Sequence, residues 1–355
     1  MANYSSLASE LRNTLGYDQV ITDELLCEVL AVDASLYQLT PKLIVKARTA
    51  AEVATILKSC QAYKAPVTFR AAGTSLSGQA VTDSVMLMMD DGWNKIKVLE
   101  QGEKVYCQPG VIGSHVNRKL LPYQRKIGPD PASIDHCMIG GIAANNASGM
   151  CCGTAQNTYQ TMANMQFILL DGTQVNSADL VSVEQFKNSH SDLLNKLRDL
   201  AETTRNDAEL KTRIQHKYRL KNTTGFSLNA LIDYDDPIDI LTHLLIGSEG
   251  CLGFISGITY NTVPDYQLKA TALYLFPKLD MACRWVAENS NLDTNAIELM
   301  DDKALASVPQ QLVGLIKPAA KEVGLLIECQ AEDELALQEK ITQVQQSLAL
   351  SDSSQ

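Results

Sequence analysis

Apolar residues recur at helical spacing in SSLASELRNTL and DELLCEVL, so residues 1–36 read as a helical N-terminal segment. Beyond it the period changes. LIVKA is a short β-branched run that predicts a strand, TAAEVATILKSCQAYK predicts an amphipathic helix with Thr49 as its N-cap, and PVTFRA predicts a second strand. Together they form a β-α-β unit that delivers the chain into the loop RAAGTSLSGQA, where Gly73 and Gly78 relax the steric limits on the backbone. Further strands are expected at VMLMMD, KIKVL, KVYCQPG and MQFILLDGTQV, with a short helix at IGSHVNRKLLP and two helical stretches between Val183 and Lys211. In IDYDDPIDI the carboxylates read as caps of a helix that starts after Pro237. After Pro264 the pattern is plainer: a strand at LKATALYLFP, a helix at DMACRWVAENS, and a strand at VGLLIECQ leading into a last helix. The expected domain junction lies there.

Composition narrows the function classes. Forty-one acidic residues against 30 basic ones give a net charge of -11, which argues against a nucleic-acid or anionic-membrane partner, since either needs a basic field. No transmembrane run and no secretory signal is apparent, so the expected location is the cytoplasm, with peripheral attachment at the inner face of the membrane as the variant. Nine scattered cysteines show neither a paired framework nor metal-ligand spacing, and the adjacent Cys151 and Cys152 read as space-filling thiols. No metal site is expected.

Three segments rich in small residues carry the candidate chemistry: Pro66 to Ala80, Ile127 to Thr154, and IGSEGCLGFISGITY. A loop without bulky side chains lets successive backbone N–H groups converge on an anion. One such loop is more often a tight turn, but three at long sequence separation suggest one extended ligand threaded between them. Spacing excludes two familiar phosphate loops. Gln79 stands where a P-loop needs lysine, and RAAGTSLSG lacks the three-glycine offsets of the dinucleotide-binding fingerprint.

In order and spacing, PVTFRAAGTSLSGQA, GPDPASIDHCMIGGIAANNASG and IGSEGCLGFIS resemble the FAD-binding domain of the vanillyl-alcohol oxidase and p-cresol methylhydroxylase superfamily. Within it the chain is most similar to bacterial flavin-dependent D-lactate dehydrogenases that carry an iron–sulfur region, and HKYRLKNTTGFSLNAL supports that subgroup. The resemblance implies an α+β fold: a two-subdomain FAD-binding domain over 37–265, then the start of an α/β cap domain over 266–355. It implies that the loop Ala71, Ala72, Gly73, Thr74 and Ser75 cradles the FAD pyrophosphate through backbone N–H groups, beside Arg70 in the cofactor site, with Gly78 and Gln79 completing the turn. Pro131, Ala132 and Ser133 would line the flavin and its ribityl chain, together with Gly140, Gly141, Asn145, Ser148 and Gly149. Glu249, Gly250, Gly253 and Ile255 would close the third side.

Two departures from the family pattern bear on this reading. Ala71 replaces a glycine, so a left-handed backbone there would be strained. Thr74 replaces the histidine to which some members attach flavin, so dissociable FAD is expected. The resemblance further implies substrate contacts from Tyr218, Lys221 and Asn222, a stretch that reads otherwise as a solvated basic run. His216 is the one candidate for the base that takes the substrate hydroxyl proton, set against an ordinary structural histidine. Arg70 is read evenly as a counter-charge for the diphosphate or as a partner in a common ion pair.

The activity so implied is oxidation of a D-2-hydroxy acid, D-lactate first, with D-2-hydroxyglutarate or glycolate as alternatives. Electrons would pass to an iron–sulfur region or quinone. Neither a histidine-rich metal motif nor a CxxCxxC string occurs, so the chain reads as an N-terminal fragment that turns over poorly by itself. Two other classes stay open: a non-catalytic flavin-binding module, and a sugar-nucleotide binder without FAD.

Overall fold

The computed structural model describes residues 2–223, 225–307 and 322–352, which fall into two compact units. The first comprises Met1–Gly149 and Gly153–Val263, the second Met150–Cys152 and Pro264–Gln355.

In the first unit, helices α1 (Tyr4–Leu15) and α2 (Glu24–Val29) flank strand β1 (Val20–Ile21). They are followed by β2 (Leu43–Ala47), α3 (Ala50–Ala62), β3 (Val67–Arg70) and β4 (Val85–Met89). The sheet order is β1-β2-β4-β3, with β4 parallel to both β2 and β3. The β-α-β unit therefore skips one position, which is taken by β4. Thr49 caps α3 by accepting the Glu52 N–H at 3.2 Å. A strand sandwiched between layers buries both faces, and β2 does so. Leu43, Val45 and Ala47 pack with Val53, Ile56 and Leu57 of α3 and with Leu7 and Leu11 of α1, while Ile44 and Met86 meet Cys27 of α2. The N-terminal segment thus supplies a strand and two helices to this first sheet's layers.

The second sheet is built from β5 (Ile96–Leu99), β6 (Lys104–Cys107), β7 (Arg125–Ile127), β8 (Met162–Ile168), β9 (Gln174–Asn176) and β10 (Phe254–Pro264). Its order is β5-β6-β10-β8-β9, with β7 also on β10. The helices of this part are α4 (Gly113–Leu120), α5 (Ile139–Asn145), α6 (Thr158–Thr161), α7 (Leu180–Ser189), α8 (Ser191–Asn206), α9 (Ala208–Lys217), α10 (Ala230–Asp233) and α11 (Pro237–Leu245). Three helices, not two, occupy the stretch around Val183 to Lys211, because Ser191 and Ala208 each restart the helix after a break. Asp236 caps α11 by accepting the Ile238 N–H at 2.7 Å, with Pro237 in the first turn. Phe254 joins the two sheets: its ring meets Phe69 edge-on at 5.3 Å and Trp93 at 5.5 Å between centroids.

The second unit has β11 (Leu268–Phe276), α12 (Leu279–Glu288), β12 (Ala296–Met300), α13 (Asp302–Ala306), β13 (Val323–Ala331) and α14 (Glu334–Asp352). Its sheet is antiparallel in the order β11-β13-β12. Trp285 of α12 and Val344 and Leu348 of α14 bury against Leu325, Ile327 and Cys329 of β13. Cys151 joins this unit, its thiol directed to Glu328 at 3.8 Å, and Cys152 is buried. No helix among the described residues is long and apolar enough to cross a membrane.

His243 links core packing to pH. On α11 it is buried, its ring stacked on Tyr234 at 3.9 Å and edge-on to Tyr159 at 4.9 Å, with Nδ1 donating to the Asp239 carbonyl at 2.7 Å. Burial depresses its pKa, opposed by the Asp239 carbonyl and the Asp233 carboxylate. The unfolded chain therefore takes up this proton first, and stability is lost as pH falls through the ordinary histidine value of about 6.5. Thermal melts should show a lower melting temperature at pH 5.5 than at pH 7.5, with a smaller drop in His243→Gln. Equal drops in both proteins would remove His243 from the account.

Candidate functional site

All three small-residue segments border one cavity of about 720 Å³ inside the first unit. β3 ends at Arg70 and the chain turns through Ala71–Gln79, whose only left-handed residues are Gly73 (φ +72°) and Gly78 (φ +79°). Ala71 is not left-handed, so the strain expected from its replacement of glycine does not arise. The amide N–H groups of Ala72, Gly73, Thr74, Ser75 and Leu76 have no hydrogen-bond acceptor among the described residues. These residues are partly exposed and border the cavity, so their donors are open to water or to a ligand. Further on the loop satisfies itself: the Ser75 hydroxyl donates to the Gln79 carboxamide and accepts the Ser77 and Gln79 N–H groups at 3.2 and 3.3 Å.

The second wall comes from α5 and its flanks. Pro131, Ser133, Gly140, Gly141, Asn145 and Ser148 border the cavity. Ala132 and Gly149 do not. Gly149 instead packs on Asp130, donating its N–H to Oδ1 at 2.9 Å, and a β-carbon on Gly149 would lie 1.8 Å from the Asp130 carbonyl oxygen. This glycine shapes the wall from behind.

The third wall is the turn between α11 and β10, which brings Glu249, Gly250, Gly253 and Ile255 to the lining. Gly247 and Glu249 donate their N–H groups to the Ala143 and Ala144 carbonyls at the end of α5, at 3.2 and 2.9 Å. That pairing ties the turn to the end of α5, where Glu249 sits in the left-handed region at φ +53°, uncommon for a residue with a side chain. Its carboxylate accepts from Asn145 Nδ2 at 2.6 Å. Burial raises the Glu249 pKa, and the Asn145 bond opposes the rise. Glu249, Arg70 and Lys221 are the charged side chains on the lining.

Of the substrate candidates, only Lys221 reaches the lining, its ammonium donating to the Ser148 carbonyl. Asn222 lies off it. Tyr218 is spent elsewhere: its hydroxyl donates to the Phe226 carbonyl at 2.6 Å and accepts the Leu228 N–H at 2.9 Å, closing the loop between them. His216 also lies off the cavity, exposed near the end of α9 with Nδ1 against the Arg219 guanidinium. Thr224 of the same motif lies outside the described residues. Gly78 stands behind the loop against Tyr37.

Sequence reasoning missed Phe69, Met89, Cys137, Met138, Phe254 and Thr223, which also line the cavity. The apolar ones carry the same local signal as core residues. Thr223 lay within the quoted Lys-Asn-Thr motif and was the one with a usable signal. Among the described residues no cluster of three or more His, Cys, Asp or Glu forms a metal site.

A family model described as an FAD binding domain matches residues 41–178. D-2-hydroxyglutarate dehydrogenase of Pseudomonas putida is 28% identical over 74% of this chain and 26% of its own length. The glycolate oxidase subunit GlcD of Escherichia coli is 31% identical over 44% of this chain and 32% of its own, and D-lactate dehydrogenase of Archaeoglobus fulgidus 24% over 74% and 48%. The chain thus spans about a quarter to a half of these relatives. Among solved structures, alkyldihydroxyacetonephosphate synthase superposes with a TM-score of 0.67 at 16% identity, covering 98% of this chain and 60% of that one, which shows a shared fold.

Two glycine substitutions test the wall geometry. Gly149→Ala should lower the melting temperature by several degrees, because Asp130 must move to admit the methyl group. Gly141→Ala, whose β-carbon would meet only Ala71 at 3.4 Å, should leave it unchanged or raise it, since alanine favours a helix over glycine by about 1 kcal/mol. Calorimetry on both variants reads the contrast, and equal losses would refute it.

Proposed function

We propose that this protein, whose residues 41–178 match a model described as an FAD binding domain, is the flavin-binding part of a dehydrogenase that oxidises a D-2-hydroxy acid. The observation that carries the reading is the run of N–H groups from Ala72 to Leu76, on residues that line the cavity, with no acceptor among the described residues. Successive free main-chain donors suit the pyrophosphate of a dinucleotide, and the cavity volume falls in the range of about 300–1,000 Å³ typical of cofactor sites. The donor set therefore fits FAD. Ala71–Ser75 and Gln79 would hold the diphosphate side. The α5 wall and the Glu249–Ile255 turn would enclose the remainder, with Phe69, Met89 and Phe254 excluding water. Thr74 offers no imidazole for attachment, so the cofactor is held without a covalent bond.

FAD, when bound, supplies a ring that accepts hydride from the substrate carbon. The chain's own part is to bind and orient. Lys221 presents the one ammonium on the lining and is the candidate for the substrate carboxylate, once released from the Ser148 carbonyl. D-lactate, D-2-hydroxyglutarate and glycolate are the substrates supported by the motifs and by the names of the relatives. A quinone or iron–sulfur carrier is the acceptor in keeping with the resemblance, and the work is done in the cytoplasm or at its membrane face.

The test is spectroscopic. Purified protein given FAD should retain it through gel filtration with flavin absorbance and release it intact on denaturation. Anaerobic addition of each acid in turn should bleach the flavin with at least one of them. A colourless protein would defeat the FAD reading. A stably yellow one that none of the acids bleaches would leave a flavin-binding module instead.

A further inference from the structure

Sequence alone offers two roles for Arg70, a counter-charge for phosphate or a member of an ion pair. Its surroundings supply no ion-pair partner, while its place on the cavity lining leaves the counter-charge role standing. No carboxylate among the described residues forms an ion pair with it, and Asp33 acts on it only at longer range. Its Nη1 donates to the carbonyl of Leu30 at 3.1 Å and to that of Ala80 at 3.4 Å. Leu30 belongs to the N-terminal segment. Ala80 closes the far end of the loop that Arg70 itself opens. The guanidinium lies against Gly73, where a β-carbon would come within 2.6 Å of Nη2. The N-terminal segment also reaches the loop by two other routes: Ala34 donates its N–H to the Gly73 carbonyl at 3.1 Å, and the Tyr37 ring stands 2.7 Å from where a β-carbon on Gly78 would sit.

We infer that Arg70 is a positioning residue that clasps the glycine-rich loop, joining its first residue to its last and both to the segment Leu30–Tyr37, so that the Ala72–Leu76 amides are held in place before any ligand arrives. The inference rests on the FAD reading only for what those amides bind. Arginine suits the task because its planar fork can lie flat against Gly73 while one nitrogen serves two carbonyls, a geometry that a lysine ammonium does not reproduce. Preorganised donors cost less to order on binding, so the clasp acts on affinity through the loop.

The experiment compares wild type with Arg70→Met and Arg70→Lys, first without ligand and then with FAD. In the ligand-free proteins, hydrogen exchange at the Ala34 and Gln79 amides should quicken at least tenfold in both variants, while the Val53 and Leu57 amides of α3 keep wild-type rates. FAD should then bind about tenfold or more weakly to both. The inference is overturned if Ala34 and Gln79 exchange at wild-type rates in the variants, or if Arg70→Lys restores FAD affinity to within about threefold of wild type, the behaviour of a direct charge contact. Should wild type fail to bind FAD, the functional reading falls while the ligand-free exchange still decides whether the clasp exists.

Discussion

A run of main-chain N–H groups without acceptors among the described residues, on residues that line a cavity, is the constraint on which the rest of the structure turns. Backbone donors are paired with protein or water almost everywhere in folded chains, because an unmade hydrogen bond in a buried place costs about 1–3 kcal/mol. From Ala72 to Leu76 five in succession have no protein acceptor among the described residues, on a loop that is partly exposed rather than buried. The surrounding architecture keeps that arrangement open. β3 aims the chain at the cavity, left-handed Gly73 turns it, and small side chains keep the amides accessible.

The other two walls follow the same logic of close approach. Gly149 lies against Asp130 where no side chain fits, and the Gly247–Gly250 turn is fastened to the last carbonyls of α5. That fastening places Glu249 beside Asn145 at the cost of an uncommon backbone conformation. Phe254 carries the arrangement inward, since its ring packs on Phe69 and Trp93 and the residue belongs to the cavity lining. One aromatic cluster therefore serves both the junction of the sheets and the floor of the site.

Much of this was legible along the chain. Period and capping chemistry identified β2, α3 and β3, with Thr49 in its place, because these depend on neighbours within a few residues. The small-residue segments were visible for the same reason. What stayed hidden depends on contacts across long separations. Nothing local tells that β4 enters between β2 and β3, that Tyr218 spends its hydroxyl on Phe226 and Leu228, or that Leu30 and Ala34 brace a loop some forty residues on. Phe69 and Met89 were hidden differently, as apolar lining and apolar core look alike in sequence.

A crystal structure of the protein with FAD bound tests the central claim most directly. The account predicts pyrophosphate oxygens within hydrogen-bonding distance of the Ala72–Leu76 amides, with the dinucleotide running between the α5 wall and the Glu249–Ile255 turn. Phosphates bound elsewhere, with those amides still lacking partners, would contradict it.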